Sequence, residues 1–126
     1  MKRIARRILV VDDDEMVRDA VAMMLRADDH EVVTACNTAE ALGLLERDSY
    51  DVILSDLRIP NMDGPRFYRE LKQRWPAALP RLIFMTGHAE DPDYARFIRE
   101  TGVPVLAKPF TPERLRQAVQ QAFVAP

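Results

Sequence analysis

Residues 52 to 57, Val52-Ile53-Leu54-Ser55-Asp56-Leu57, indicate the fold of this chain and its first candidate functional residue. An apolar run of this length, followed by the turn-forming residues 59 to 64, is typical of a buried strand. Asp56 is then predicted to lie where the strand emerges, at its carboxyl end. In an open α/β sheet, that edge is where ligands bind.

Four further apolar runs predict strands, over residues 8–11, 30–35, 82–85 and 103–107. The residues after each strand carry apolar side chains at helical spacing, which predicts a helix after every strand. Helix starts are indicated by Asn37 with Glu40, Gly64-Pro65, Asp91-Pro92 and Thr111-Pro112. Strands that alternate with helices predict a parallel sheet with right-handed crossovers and helices on both faces.

The carboxyl ends of all these strands are expected to lie on one edge of the sheet. That edge collects polar residues from distant parts of the chain, namely Asp12, Asp13, Asp56, Thr86 and Lys108. Asp14 and Glu15 are different, because acids at a helix start are explained by the helix dipole.

The composition limits the other possibilities. The 126 residues are enough for one compact domain and too few for two ordinary ones. With 18 basic and 20 acidic residues, the chain gives no reason to expect direct nucleic-acid binding. No apolar stretch is long enough for membrane insertion or a signal peptide. The single cysteine, Cys36, cannot form an internal disulfide, which predicts a reducing, cytoplasmic setting. We interpret it as a small packing residue.

The motifs at the strand ends resemble those of the receiver domain of two-component response regulators. The resemblance runs from about Arg7 to Phe123. It is carried by Val10-Val11-Asp12-Asp13, Ser55-Asp56-Leu57 with Pro60-Asn61-Met62-Asp63-Gly64, Thr86-Gly87 and Lys108-Pro109-Phe110. It implies a single flavodoxin-like domain over residues 1–126, with a doubly wound five-stranded parallel sheet of order 2-1-3-4-5 and five helices. The segment from Phe84 to Phe110 looks most like receivers attached to hybrid sensor kinases.

The resemblance also implies a metal site. Asp13 and Asp56 would bind Mg²⁺ directly, Asp12 would bind it through water, and the backbone carbonyl of Arg58 would complete the set. This is physically reasonable, because carboxylates gathered at one edge repel one another unless a cation or protons bind there. Mg²⁺ is a hard ion that favours oxygen ligands and keeps some of its waters.

By the same resemblance, Asp56 accepts a phosphoryl group from a phosphohistidine of a histidine kinase or phosphotransfer protein. Lys108 would pair with one phosphoryl oxygen and the Thr86 hydroxyl would donate to another. The loop after Thr86 would then move inward. Such a domain is a switch, not a turnover enzyme, and only autophosphorylation and autodephosphorylation are expected of it.

The sequence departs from the family at one position of interest. Many receivers have an aromatic residue three positions before the lysine, where this chain has Val105. Output is therefore expected to depend on the loop after Thr86 or on helix surfaces near Tyr94 and Phe97, and Phe110 is expected in the core. His88 either tunes water access to the site or is a solvated loop residue.

Two other functions stay open. Asp12 and Asp14 form an Asp-x-Asp pair after a strand, as in haloacid-dehalogenase-like phosphotransferases, although Met16 stands where those enzymes have a threonine. A phosphorylation-independent interaction domain with the receiver fold is the other. Dimerisation is undetermined, no output domain is expected within these residues, and the chain is either free-standing or part of a longer protein.

Overall fold

A computed structural model describes residues 5–58, 64–87 and 91–124, with side chains up to residue 122, and contains a five-stranded parallel sheet. The strands are β1 (Arg7–Val11), β2 (Glu31–Ala35), β3 (Val52–Asp56), β4 (Leu82–Thr86) and β5 (Val105–Ala107). Their spatial order is β2-β1-β3-β4-β5, which confirms the predicted order 2-1-3-4-5.

Five helices connect or follow these strands, as predicted. They are α1 (Glu15–Ala27), α2 (Thr38–Arg47), α3 (Gly64–Arg74), α4 (Pro92–Thr101) and α5 (Pro112–Val124). A short 3₁₀ helix, Pro76–Arg81, occupies the segment between α3 and β4.

The two faces of the sheet form two separate cores, because successive residues of a strand point to opposite sides. On one face, Leu9, Ile53 and Phe84 pack with residues of α2 and α3. On the other face, Val10, Leu54 and Met85 pack with α1 and α5. Both sets of strand residues are buried, which is the pattern of a parallel sheet covered on both sides.

The helix starts agree with the sequence signals. The Asn37 side chain accepts a hydrogen bond from the backbone N–H of Glu40 at 2.7 Å, and Asp91 accepts one from Asp93 at 3.1 Å. The Asp14 carboxylate accepts hydrogen bonds from the first turn of α1, so its interpretation as a helix-start acid is confirmed. Gly102 ends α4 in the left-handed conformation, with φ of 71°.

Two strands were predicted to begin too early. β2 begins at Glu31 and not at His30, and β5 begins at Val105 and not at Val103. β3 ends at Asp56, as predicted. For β5 the cause is Pro104, which has no backbone N–H to donate to the sheet. Its carbonyl still accepts a hydrogen bond from the Phe84 N–H at 2.9 Å.

The interpretation of Cys36 as a packing residue is wrong. β2 ends one residue earlier, at Ala35, so the Cys36 side chain is exposed. Its thiol donates a hydrogen bond to the Glu40 carboxylate at 3.0 Å, and this bond raises the pKa of Cys36. The residue is therefore held as a neutral thiol.

None of the helices in the described part of the chain is long and apolar enough to cross a membrane.

Gly64 is the glycine that the packing requires. A Cβ atom built there would overlap the Leu57 side chain and would lie 2.8 Å from the Leu57 carbonyl oxygen. We expect Gly64→Ala to lower the free energy of unfolding by about 1–3 kcal/mol, because the backbone contact cannot give way cheaply.

Gly43 provides the matched control, since it lies inside α2 with nothing within 4 Å of an added Cβ. Gly43→Ala is expected to stabilise the protein by roughly 0.5–1 kcal/mol through helix propensity. Urea unfolding of both variants measures the difference. Equal effects of the two substitutions would contradict the packing argument.

Candidate functional site

The three carboxylates predicted to meet do meet. Asp12 follows β1, Asp13 is its neighbour, and Asp56 ends β3, which pairs directly with β1. One carboxylate oxygen from each residue lies within 4.8 Å of those of the other two. Asp12 is fully buried and Asp13 is exposed, so the cluster opens to solvent on one side.

Lys108 enters this cluster from the far end of the chain. Its ammonium lies 2.9 Å from Asp12 Oδ2 and 3.4 Å from Asp56 Oδ2. The Lys108 backbone N–H donates to the Thr86 carbonyl at 2.8 Å, which holds the lysine at the end of β4. One cation is therefore shared by two carboxylates, and the pocket keeps an excess of negative charge.

The pKa values reflect this partial burial. Burial raises the pKa of the Asp56 carboxyl, against the lowering effects of the Lys108 charge and of the Arg58 N–H. Burial disfavours the Lys108 ammonium, but its hydrogen bond to Asp12 and the negative charge of Asp56 outweigh burial and raise the pKa of Lys108. The raised pKa of Asp56 means that burial disfavours its charged form, so an added cation would stabilise that form.

Backbone contacts fix the direction of the Asp12 and Asp56 carboxylates. Asp12 Oδ1 accepts a hydrogen bond from the Asp14 N–H at 2.9 Å, and Asp56 Oδ1 accepts one from the Arg58 N–H at 3.2 Å. In each case the chain turns immediately after the strand, and the backbone N–H two residues later donates to the carboxylate. Their other oxygens, Oδ2, face Lys108.

Thr86 and Arg58 border this cluster. Thr86 is the last residue of β4, is 1% exposed, and pairs in register with Ala107 of β5, one residue before the lysine. Because β4 lies next to β3, its end is at the same edge of the sheet as Asp56. Arg58 contributes its backbone N–H to Asp56, and the role predicted for its carbonyl stays a prediction. His88 and residues 59–63 lie outside the described residues.

Arg18 makes a contact with Asp12 that the sequence did not indicate. Its guanidinium donates a hydrogen bond to the Asp12 carbonyl at 3.1 Å, from the second turn of α1.

Val105, the residue three positions before the lysine, pairs in register with Phe84 of the neighbouring strand β4 and is only partly buried. Phe97 of α4 makes two aromatic contacts on this face of the sheet. Its ring lies 5.7 Å from that of Phe84 and 5.5 Å from that of Tyr68, edge to face in both pairs. Phe110 packs against the second core, as predicted.

The chemistry of the cluster suits a small, hard cation. Carboxylate oxygens are the ligands that Mg²⁺ prefers, and the exposed side at Asp13 leaves room for bound waters. Asp14 does not belong to this ligand set, since its carboxylate accepts hydrogen bonds from Met16 and Val17 at the start of α1.

Similarity to known proteins extends over nearly the whole chain. The family model described as the response regulator receiver domain matches residues 8–120. The hydrogenase transcriptional regulatory protein HoxA of Cupriavidus necator is 34% identical over 119 residues, which are 94% of this chain and 24% of that protein. An uncharacterized 14.6 kDa protein of Leptolyngbya boryana is 35% identical over 118 residues, covering 94% of this chain and 90% of its own.

Sensor kinases also contain a similar segment. Sensor kinase CckA of Brucella abortus is 31% identical over 116 residues, 90% of this chain and 12% of the kinase. The chain spans about a quarter of the length of the transcriptional regulators that it matches.

Solved structures agree with these relatives. The receiver domain of sensor histidine kinase PA1611 from Pseudomonas aeruginosa, with a magnesium ion coordinated in its active site cleft, matches with a TM-score of 0.86 and 28% identity over 97% of this chain and all of that one. Chemotaxis response regulator CheY4 of Vibrio cholerae matches with a TM-score of 0.83 and 28% identity, covering 94% and 99% of the two chains. The chain therefore belongs to the response regulator receiver domain family of two-component signalling.

Proposed function

We propose that Asp56 accepts a phosphoryl group from a phosphohistidine of a histidine kinase or phosphotransfer protein, in a reaction that requires Mg²⁺. The observation that carries this proposal is the convergence of Asp12, Asp13 and Asp56 with Lys108, which come from three strand ends. The presence of this family's domain in both a sensor kinase and transcriptional regulators supports a kinase as the partner.

In the proposed reaction, a carboxylate oxygen of Asp56 attacks the phosphorus atom while the bond from phosphorus to the histidine nitrogen breaks. Asp12, Asp13 and Asp56 would hold Mg²⁺, with the Arg58 carbonyl as a further ligand. When bound, the metal supplies positive charge that offsets the charge on the transferred group. Phosphoryl transfer depends mainly on this kind of positioning and charge compensation.

The lysine and threonine have separate roles in the proposal. The Lys108 ammonium already lies 3.4 Å from Asp56, so it pairs with an oxygen of the incoming phosphoryl group with little movement. The Thr86 hydroxyl donates to another oxygen, which draws the end of β4 and the following loop toward Asp56. Since α4 begins soon after this loop, its position changes with the charge on Asp56.

The product is a switch, and no substrate is turned over. We place it in a cytoplasmic setting as one domain over residues 1–126, which is the setting expected for a kinase partner and a reduced cysteine. The haloacid-dehalogenase-like alternative fits less well, because its second acid, Asp14, is engaged at the start of α1. Multiple turnover of a phosphate ester with label on Asp12 would favour that alternative. Failure to bind millimolar Mg²⁺ would favour a phosphorylation-independent domain.

Replacement of the nucleophile tests the central step. Incubation with acetyl phosphate and Mg²⁺ is expected to add one acid-labile phosphoryl group to the wild type, and Asp56→Asn is expected to abolish it, because an amide cannot replace the carboxylate nucleophile. Intact-protein mass spectrometry counts the added groups. Asp19→Asn, an exposed substitution on α1, is the control and should be labelled like the wild type. Persistent labelling of the Asp56→Asn protein would refute the assignment.

Replacement of the lysine tests charge compensation. Lys108→Gln is expected to slow labelling by roughly 10- to 100-fold, since a hydrogen bond to a charged group contributes about 1.5–3 kcal/mol. The same variant should bind Mg²⁺ at least as tightly, because a cation that competes for Asp12 and Asp56 is removed. The rate of phosphorylation and a Mg²⁺ titration measure the two effects. Lys72→Gln, exposed on α3, is the matched control, and an equal loss of rate there would contradict the assigned role.

Metal binding is expected to stabilise the fold. At a Mg²⁺ concentration about one hundred times the dissociation constant, the free energy of unfolding should rise by about 2.7 kcal/mol. Asp13→Asn should weaken this effect while costing little stability without metal, because Asp13 is exposed. Urea unfolding with Mg²⁺ and with a chelator, at equal ionic strength, gives both numbers. The same gain in wild type and Asp13→Asn would exclude Asp13 from the ligand set.

A further inference from the structure

A second cavity lies at the opposite edge of the sheet from Asp56. It is formed where β3 and β4 begin, by the end of α2, the residue after α3 and the 3₁₀ helix Pro76–Arg81. Its volume is about 160 Å³. Its apolar wall includes Leu45, Tyr50, Ile53, Trp75 and Ala78.

The size of the cavity selects the size of a ligand. A cavity of roughly 150 Å³ lined by apolar side chains is known to take up a single benzene ring. The wall here has the same apolar character, with two aromatic side chains among its residues. A single six-membered ring is comparable in size to this space, which opens to solvent on one side.

The charged residues at the cavity select the charge of a ligand. Asp48 is already paired with the guanidinium of Arg7 at 3.3 Å. Arg81 donates one hydrogen bond, to the Tyr50 carbonyl at 3.1 Å, and has no carboxylate partner within the residues that the structure describes. A guanidinium has five N–H groups, so donors remain for an anion.

We propose that this cavity binds a small aromatic carboxylate. The ring would pack against Trp75 and Ala78, and the carboxylate would pair with Arg81, for which a planar, two-oxygen anion is the best match. The site is separate from the Asp56 cluster and does not depend on the function proposed for that cluster.

Trp75 is the only tryptophan in the chain, so its fluorescence reports on this cavity directly. Titration of the whole chain with benzoate, benzyl alcohol and benzylamine compares three charges on rings of similar size. Benzoate is expected to give a saturable change with a dissociation constant of about 1 mM or lower, as suits a ligand of this size. Benzyl alcohol should bind roughly threefold or more weakly, and benzylamine more weakly still.

Three variants complete the test. Ala78→Leu fills the cavity and should abolish the saturable change, while Arg81→Gln should remove the preference for benzoate. Arg81 is exposed, so the second variant is expected to fold even if the first does not. Asp56→Asn should bind benzoate like the wild type, which separates this proposal from the fate of the phosphoacceptor site. No saturable change in the wild type, a change that persists in Ala78→Leu, or equal affinities for the three ligands would overturn it.

Discussion

The ion pairs that Lys108 makes with Asp12 and Asp56 are the interaction on which the rest of the site depends. Two carboxylates at 0% and 14% side-chain exposure repel each other strongly when no cation lies between them. The lysine offsets part of that repulsion and leaves part of it for a metal ion. Truncation of a buried partner costs more than the net contribution of the pair, because the remaining charge stays desolvated. The cluster is therefore maintained by Lys108 and is left ready for a second cation.

The parallel register explains how residues nearly one hundred positions apart reach this contact. Val11 of β1 pairs with Ala35 of β2 and with Ser55 of β3. β1 and β3 therefore end at the same level, and the residues that follow, Asp12 and Asp56, lie side by side. On the other side of β3, Thr86 pairs with Ala107, and the next residue is Lys108. β1, β3 and β4 are buried on both faces, so a shift of one residue in any of them would exchange the two cores. The same packing that stabilises the sheet thus positions the site.

Most of the fold and the site could be predicted because buried parallel strands read as continuous apolar runs, and polar residues that follow them mark one edge. The apolar pattern gave wrong strand boundaries where a single residue decides where a strand begins or ends. Pro104 shortens β5, and Cys36 falls one residue past the end of β2, so periodicity alone misplaced both. The contact from Arg18 to the Asp12 carbonyl and the pairing of Asp48 with Arg7 depend on side-chain directions that no sequence pattern encodes.

Val105 stands where many receivers have an aromatic residue, and in this structure Phe97 of α4 supplies an aromatic contact to the sheet. None of the residues of α4, all of which the structure describes, is fully buried, whereas α1, α2 and α3 each bury at least three. Contacts of α4 with the sheet depend instead on half-buried side chains, with Phe97 placed between Phe84 of β4 and Tyr68 of α3. A helix with little buried surface loses little when it shifts. Movement of the Thr86 loop would therefore reach α4 easily, and the contact of Phe97 with Tyr68 would carry it to α3.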